Sequence, residues 1–142
     1  MIYFDSNYIA RLYVEDPGWK TVRALAAQAP LACGRHGQSE VVAALHRKFR
    51  EGIFTATQFR QVLEQFELDC DQNAYRWLPL APAVIDRSTK AFHHLPSTVF
   101  LRAADALHLA CAAVNHFREI YSNDQRLLAA ATDFGLKGVN VI

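Results

Sequence analysis

Cysteine is scarce in this chain: three in 142 residues, far apart, with no CxxC pair. An odd number of scattered thiols excludes a disulfide framework, and no Cys/His spacing suits a zinc site. Cys33, Cys70 and Cys111 therefore read as free thiols packed as small hydrophobes in a reducing compartment. No apolar run approaches the ~20 residues of a membrane-spanning helix. The first residues lack a charged stretch followed by a long apolar one, so no signal peptide is expected. Charge of one sign is missing too, with fifteen Lys and Arg against fourteen Asp and Glu and a formal charge of +1. That excludes a polybasic tail binding nucleic acid by charge alone, while local patches stay open. Six glycines and five prolines fall singly, without repeats or low complexity. The expectation is a soluble, intracellular, cytoplasmic protein with no membrane contact.

What is present is apolar and periodic. The chain is 51% hydrophobic and 20% charged. Its length suits one domain, 1–142, able to bury a core without disulfides or a structural metal. IYF (2–4) reads as a buried strand and SNYIARLYV (6–14) as a short helix, with Ser6 or Asn7 able to cap it. Asp16-Pro17 looks like the start of a helix that continues through residues 19–29. PLACG (30–34) is a second strand, and residues 37–52 a helix with glycine at each end. Residues 55–69 carry Phe59, Val62, Leu63 and Phe66 on one helical face. YRWLPL (75–80) is a third strand, followed by helices over 82–94 and 101–117. EIYSND (119–124) is a fourth strand, 125–135 a helix, and GVNVI (138–142) a last strand. Short apolar strands alternating with helices predict a three-layer α/β/α fold around a parallel sheet of four to five strands. Sites in such folds lie at the carboxyl ends of the strands.

Two acids follow strand ends, Asp5 after Ile2-Tyr3-Phe4 and Asp124 after Ile120-Tyr121-Ser122-Asn123. Two more, Glu40 and Asp105, sit early in helices among Ala, Val and Leu. Each has an ordinary reading alone. Asp5 and Asp124 suit turns and caps, Glu40 suits a solvated helix face, and Asp105 complements a helix dipole. Together they mean more. Partly buried carboxylates gathered at one sheet edge are costly without a compensating charge. A hard cation such as Mg²⁺ supplies it, keeping its waters for a substrate phosphate. Such a site serves displacement at phosphorus.

The residues carrying this pattern also resemble a family. Asp5-Ser6-Asn7, Ser39-Glu40 with Ala43-Ala44-Leu45, Arg102-Ala103-Ala104-Asp105-Ala106-Leu107-His108-Leu109-Ala110 and Ser122-Asn123-Asp124-Gln125-Arg126-Leu127 are similar, in order, to the four motifs of PIN-domain ribonucleases. Within that family they most resemble VapC-type toxins of toxin–antitoxin pairs. Asn123 departs from the apolar or basic residue of many relatives, outside the acidic set. The resemblance implies an endoribonuclease using Mg²⁺ or Mn²⁺ and leaving a 5′-phosphate and a 3′-hydroxyl. It implies Asp5, Glu40, Asp105 and Asp124 as the acidic pocket. Asp5 and Asp105 would be the nearest metal ligands, and Glu40 and Asp124 would bind directly or through water. Ser6, Asn7 and Ser122 would hold carboxylates or water by hydrogen bonds. It also implies a homodimer and an antitoxin whose C-terminal segment covers the pocket.

Arg102, one turn before Asp105, is a candidate RNA phosphate contact or a salt-bridge partner. His108, one turn after, reads as a packed core histidine. His36, His46, His93, His94 and His116 show no mutual ligand spacing. Arg35, His46, Arg47, Lys48 and Arg50 form a basic cluster, an RNA rim or simply a solvated face, with Arg47 the second RNA candidate. Tyr8, Phe100 and Trp77 can stack bases, Trp77 being better suited to packing. Glu15, Asp16, Glu51, Glu64, Glu67, Asp69, Asp86, Glu119 and Asp133 read as surface charges. The alternatives are an RNA-processing PIN nuclease without an antitoxin, and a non-catalytic module using the same fold. A phosphatase or nucleotide enzyme ranks low, for there is no Gly-rich phosphate loop and no second Asp two residues after Asp5.

Overall fold

The computed structural model describes residues 1–142. Its elements run β1 (Ile2–Tyr3), α1 (Ser6–Ala10), α2 (Trp19–Ala26), β2 (Leu31–Gly34), α3 (Gly37–Arg50), α4 (Ala56–Asp71), β3 (Tyr75–Leu78), α5 (Pro82–His94), α6 (Ala103–Val114), β4 (Glu119–Tyr121), α7 (Gln125–Ala130), a 3₁₀ turn (Ala131–Phe134) and β5 (Lys137–Val139). All pairings are parallel. β1 pairs with β2, Tyr3 opposite Ala32, and β2 with β3, Cys33 opposite Trp77. β4 pairs with β5, Ile120 opposite Gly138. A single bridge, Phe4 to Tyr121, joins the two halves, giving the spatial order β3-β2-β1-β4-β5. From β1 the chain winds outward to β3, then returns to lay β4 on β1's other side. The gap between β1 and β4 is thus the point where the winding reverses, the place where such sheets open a crevice at their carboxyl edge.

Two buried clusters explain the layers. Tyr3 and Ala32 point to a core with Val84, Ala91, Ala106, Leu109, Ala110 and Leu127, beneath α5, α6 and α7. Their chain neighbours Phe4, Leu31 and Cys33 point the other way, to Tyr8, Ile9, Val22, Val41, Leu45 and Phe66 of α1 to α4. Strands covered on both faces have no polar side to alternate with, hence the unbroken apolar runs. No helix is long and apolar enough to cross a membrane.

Several element ends differ from the sequence reading. α1 stops at Ala10, and Arg11–Val14 form a turn. α2 begins at Trp19 rather than at Asp16-Pro17, behind Gly18 at φ 85°, a left-handed conformation that suits glycine. Asp16 instead accepts Lys48 Nζ at 2.6 Å. Asp69 is partnered too, accepting the Tyr13 hydroxyl at 2.5 Å. α6 is shorter than 101–117, closing before His116 at φ 62°. Residues 125–135 tighten into 3₁₀ after Ala130, and β5 ends at Val139.

Candidate functional site

The carboxyl ends of β1 and β4 deliver Asp5 and the segment Ser122–Asp124 side by side. Asp5 caps α1, its Oδ1 accepting the Tyr8 N–H at 2.9 Å. Its Oδ2 accepts the Ser122 hydroxyl at 2.5 Å. Ser122 Oγ in turn accepts the Asp124 N–H at 2.9 Å. Asp124 caps α7 through Oδ1, which takes the N–H groups of Arg126 and Leu127 at 2.8 and 3.2 Å. Each strand-end acid therefore spends one oxygen on a helix start, the other going to Ser122 in Asp5 and to Arg102 in Asp124. Ser122, fully buried, ties the two together.

Two helices complete the acidic set. α6 brings Asp105 in its first turn, 6% exposed. Arg102, at the cap position of α6, donates Nε to Asp105 Oδ2 at 2.8 Å and Nη2 to Asp124 Oδ2 at 2.9 Å. One guanidinium thus spans acids from α6 and from the β4–α7 junction. The Asp105 hydrogen bond is the main reason the Arg102 pKa is raised. α3 brings Glu40, whose Oε2 lies 2.6 Å from His108 Nε2. Gly37 lets α3 sit this close: a Cβ there would stand 2.5 Å from Cys33 Sγ and 3.4 Å from His108 Cε1.

The acids differ in electrostatic state. Burial pushes the Asp5 carboxyl up from its ordinary value, against the lowering hydrogen bonds from Ser122 and Tyr8. Burial also raises Glu40, but the hydrogen bond and charge of His108, then His36 and the Ser6 hydroxyl, outweigh it and leave the pKa lowered. No Lys or Arg pairs with Asp5, so its charge has only neutral donors and distant fields to hold it.

Behind Glu40 runs a buried hydrogen-bond chain. The Tyr3 hydroxyl accepts the Gly34 N–H at 2.9 Å and lies 3.0 Å from His108 Nδ1. With Tyr3 donating to Nδ1, His108 carries its proton on Nε2 and donates to Glu40. His108 is 2% exposed, packed as a core histidine yet bonded into the site. Tyr3→Phe strands the Gly34 N–H and the Nδ1 lone pair in a dry interior. The expected cost is ~1–3 kcal/mol, the desolvation penalty of an unmatched buried group, read as a lower urea midpoint at unchanged m value.

Ser122 joins Asp5 to Asp124, Arg102 joins Asp124 to Asp105, and Glu40, bonded by Ser6, acts on Asp5 through its charge. Asn7 contributes its carbonyl to Arg11 Nη1 and lines a polar groove of about 450 Å³ over Asp124. Arg102 and Arg47 line the same groove, joined by Arg11 and Arg126, which sequence reasoning passed over. Arg11 lies one turn after Asn7 of the first motif and Arg126 stands inside the last motif, which is the signal the sequence offers. The basic cluster around α3 does not act as one rim. Lys48 is committed to Asp16, and His46 packs against Phe49 and Phe59. Tyr8 is fully buried with its hydroxyl on Asn140, so it is no stacking platform. Trp77 packs against Phe66 and Tyr75. Phe100 is 60% exposed, its ring 4.2 Å from the Arg126 guanidinium at the groove's edge. A second cleft, about 640 Å³, runs beside α3 past Ser39, Val42, Ala43 and Phe59.

Among the histidines, His36 meets His108, a pair that the reading of His36, His46, His93, His94 and His116 did not include. Their ring centroids lie 4.1 Å apart with the planes tilted by 43°. Sequence distance, 72 positions, hid the pair; the i, i+4 spacing of His36 and Glu40 was the visible half of it.

The PIN domain family profile matches residues 2–133. No curated protein sequence matches the chain. Among solved structures, FitAcB from Neisseria gonorrhoeae superposes with a TM-score of 0.74 at 15% identity, covering 99% of this chain and 97% of that one. Mycobacterium tuberculosis VapC20, described as a sarcin–ricin loop cleaving toxin, gives 0.71 at 16% identity over 92% and 95%. VapBC2 from Rickettsia felis, bound to a DNA fragment from its promoter, gives 0.70 at 12% identity over the full length of both chains.

Proposed function

The chain belongs to the PIN-domain family, and from that premise we propose that residues 1–142 act as one metal-dependent endoribonuclease domain, the toxin of a toxin–antitoxin pair. The observation that carries this reading is the convergence of Asp5, Glu40, Asp105 and Asp124 where the sheet's winding reverses.

The donor set fits a hard divalent cation. It is carboxylate oxygen throughout, the chemistry that Mg²⁺ and Mn²⁺ take. Asp5 is 2% exposed with no cationic partner, an arrangement whose cost a bound cation relieves. Asp5, Asp105 and Asp124 would hold the ion, with Glu40 direct or through water. Bound there, the ion supplies neutralising charge for a phosphodiester and a more acidic water. The protein's part is orientation. Ser122 fixes the Oδ2 oxygen of Asp5 and the backbone of Asp124. His108 and Ser6 keep Glu40 ionised and aimed. Arg11, Arg47 and Arg126 give the groove phosphate contacts, which position a strand without reading its sequence. An RNA strand is the substrate; that a structural neighbour carries the name of an RNA-loop cleaving toxin supports this choice.

The partner reading rests on neighbours solved as toxin–antitoxin complexes, including one from Klebsiella pneumoniae at TM-score 0.65 and 17% identity. An antitoxin segment would cover the acids, the cleft beside α3 would seat its nonpolar side chains, and the toxin would act in the cytoplasm as a homodimer.

Arg102 occupies the acids as an internal cation, so it competes with the metal. Exposed ion pairs are worth about 0.2–1 kcal/mol each. Removing two by Arg102→Gln, about 0.4–2 kcal/mol in all, should tighten Mn²⁺ binding by roughly twofold to thirtyfold by calorimetry. The RNA KM should rise, because a phosphate contact goes with it. Weaker metal binding in this variant would show Arg102 orienting Asp105 for the ion instead.

The deciding test of the function is cleavage of a structured RNA by purified protein with Mg²⁺, with Mn²⁺ and with chelator. Turnover only with metal supports the reading, provided it also vanishes in the Asp105 variant argued below.

A further inference from the structure

The acidic pocket does not use everything the structure gathers beside it. One nitrogen or oxygen from each of His36, Glu40 and His108 lies within 4.8 Å of the other two. The three come from the start of α3, its first turn and the middle of α6. His36 donates Nε2–H to the Ala104 carbonyl at 3.2 Å and leaves Nδ1 buried with no hydrogen-bond partner. An imidazole oriented by a carbonyl on one nitrogen, with a bare lone pair on the other, is the arrangement of metal-binding histidines. A dry interior also leaves such a lone pair unsatisfied, which is the condition that a ligand removes.

We propose that His36, Glu40 and His108 form a second metal site, beside the carboxylate pocket and sharing Glu40 with it, that takes a transition-metal ion of the zinc type. The ligand chemistry selects the ion. Two imidazoles and one carboxylate suit Zn²⁺ or Co²⁺ and suit Mg²⁺ poorly. The geometry is within side-chain reach. Ligand atoms of a tetrahedral zinc stand roughly 3.3 Å apart, from metal–ligand lengths of about 2.0–2.1 Å. The His108–Glu40 pair, now at 2.6 Å, opens slightly, and the widest separation, under 4.8 Å, closes by about one ångström or somewhat more. Glu40 is 30% exposed and can make that adjustment while admitting an ion and a water. His108 gives up its Nε2 proton by shifting it to Nδ1, where the Tyr3 oxygen can accept it.

Occupancy takes Glu40 from the pocket that would hold Mg²⁺, so zinc would inhibit cleavage. This consequence rests on the nuclease reading; the binding itself does not.

The test is a Co²⁺ titration of the full chain, followed by its visible d–d absorption and displaced by Zn²⁺. The proposal expects one intense tetrahedral Co²⁺ band in the wild type. His36→Ala and His36→Gln should each weaken it at least ~10-fold, the least that losing even an outer partner of a metal ligand costs. Thermal melts verify that the two variants stay folded. Asp105→Asn should keep the band. A band absent from the wild type, or indifferent to both His36 variants, overturns the site. So does a band lost in Asp105→Asn and kept in the His36 variants, which would place the ion in the carboxylate pocket. Zinc suppression of Mg²⁺-driven cleavage in the wild type but not in His36→Ala would then tie the site to activity. If the wild type cleaves no RNA at all, the nuclease reading fails while the cobalt spectrum still decides the site.

Discussion

Asp105→Asn should lower metal-dependent RNA cleavage by at least about a hundredfold and leave the melting temperature almost unchanged. The two halves of this result have different causes. A bound divalent ion contributes several kcal/mol to charge stabilisation at phosphorus, and every ~1.4 kcal/mol is a factor of ten in rate. Asn keeps the size of Asp105 and one of its oxygens but removes the charge that binds the ion. Stability responds far less. The side-chain partner of Asp105 is Arg102, which is 55% exposed, and exposed pairs are worth about 0.2–1 kcal/mol. The substitution also takes one negative charge out of a crowd of four, which offsets part of that loss. Equal cleavage by the variant and the wild type would sink both the site and the nuclease reading. Loss of cleavage together with loss of fold would show Asp105 acting through structure. Neither is expected from its surroundings.

Much of this site was legible from local sequence. Asp5 and Asp124 stand out because a carboxylate at the end of an apolar strand has few places to go, and parallel strands send both to one edge. Asp105 stands out because its neighbours are Ala and Leu, so the helix must bury it. What stayed hidden depends on how elements cross. Arg102 bridges Asp105 and Asp124 because the start of α6 lies against the β4–α7 junction. His36 meets His108 because Gly37 lets α3 press onto β2 beneath α6. Neither contact follows from periodicity. The fold class was readable for the same reason that the element ends were not. Apolar runs report burial, whereas ends depend on single conformations such as Gly18 and His116 in the left-handed region. Tyr8 shows the limit from the other side. An aromatic beside a motif looked available for stacking, but α1 turns it into the core, where its hydroxyl meets Asn140.

Leu109→Ala should give the opposite signature, a large loss of stability with chemistry intact in the molecules that remain folded. Leu109 follows His108 on α6 and is fully buried in the core between α6, the sheet and α7. Its neighbours on the same helix, Ala106, Ala110 and Ala112, are small, so α6 itself has little side chain to fill the space. Leu→Ala substitutions at such sites cost about 2–5 kcal/mol, the larger values where the cavity persists. For a chain of this length that lowers the melting temperature by on the order of 10 °C. α6 is also the element that carries Asp105 and His108, so a loosened core bears on the site as well. The acids, however, are held from outside this core, by Ser122, Arg102 and the caps of α1 and α7. Cleavage per folded molecule should therefore stay within a few-fold of the wild type at a temperature well below the variant's midpoint. A hundredfold loss there, with the fold intact by circular dichroism, would mean that the packing of α6 sets the position of Asp105 directly. The site would then be a product of the core rather than of the strand ends and their caps.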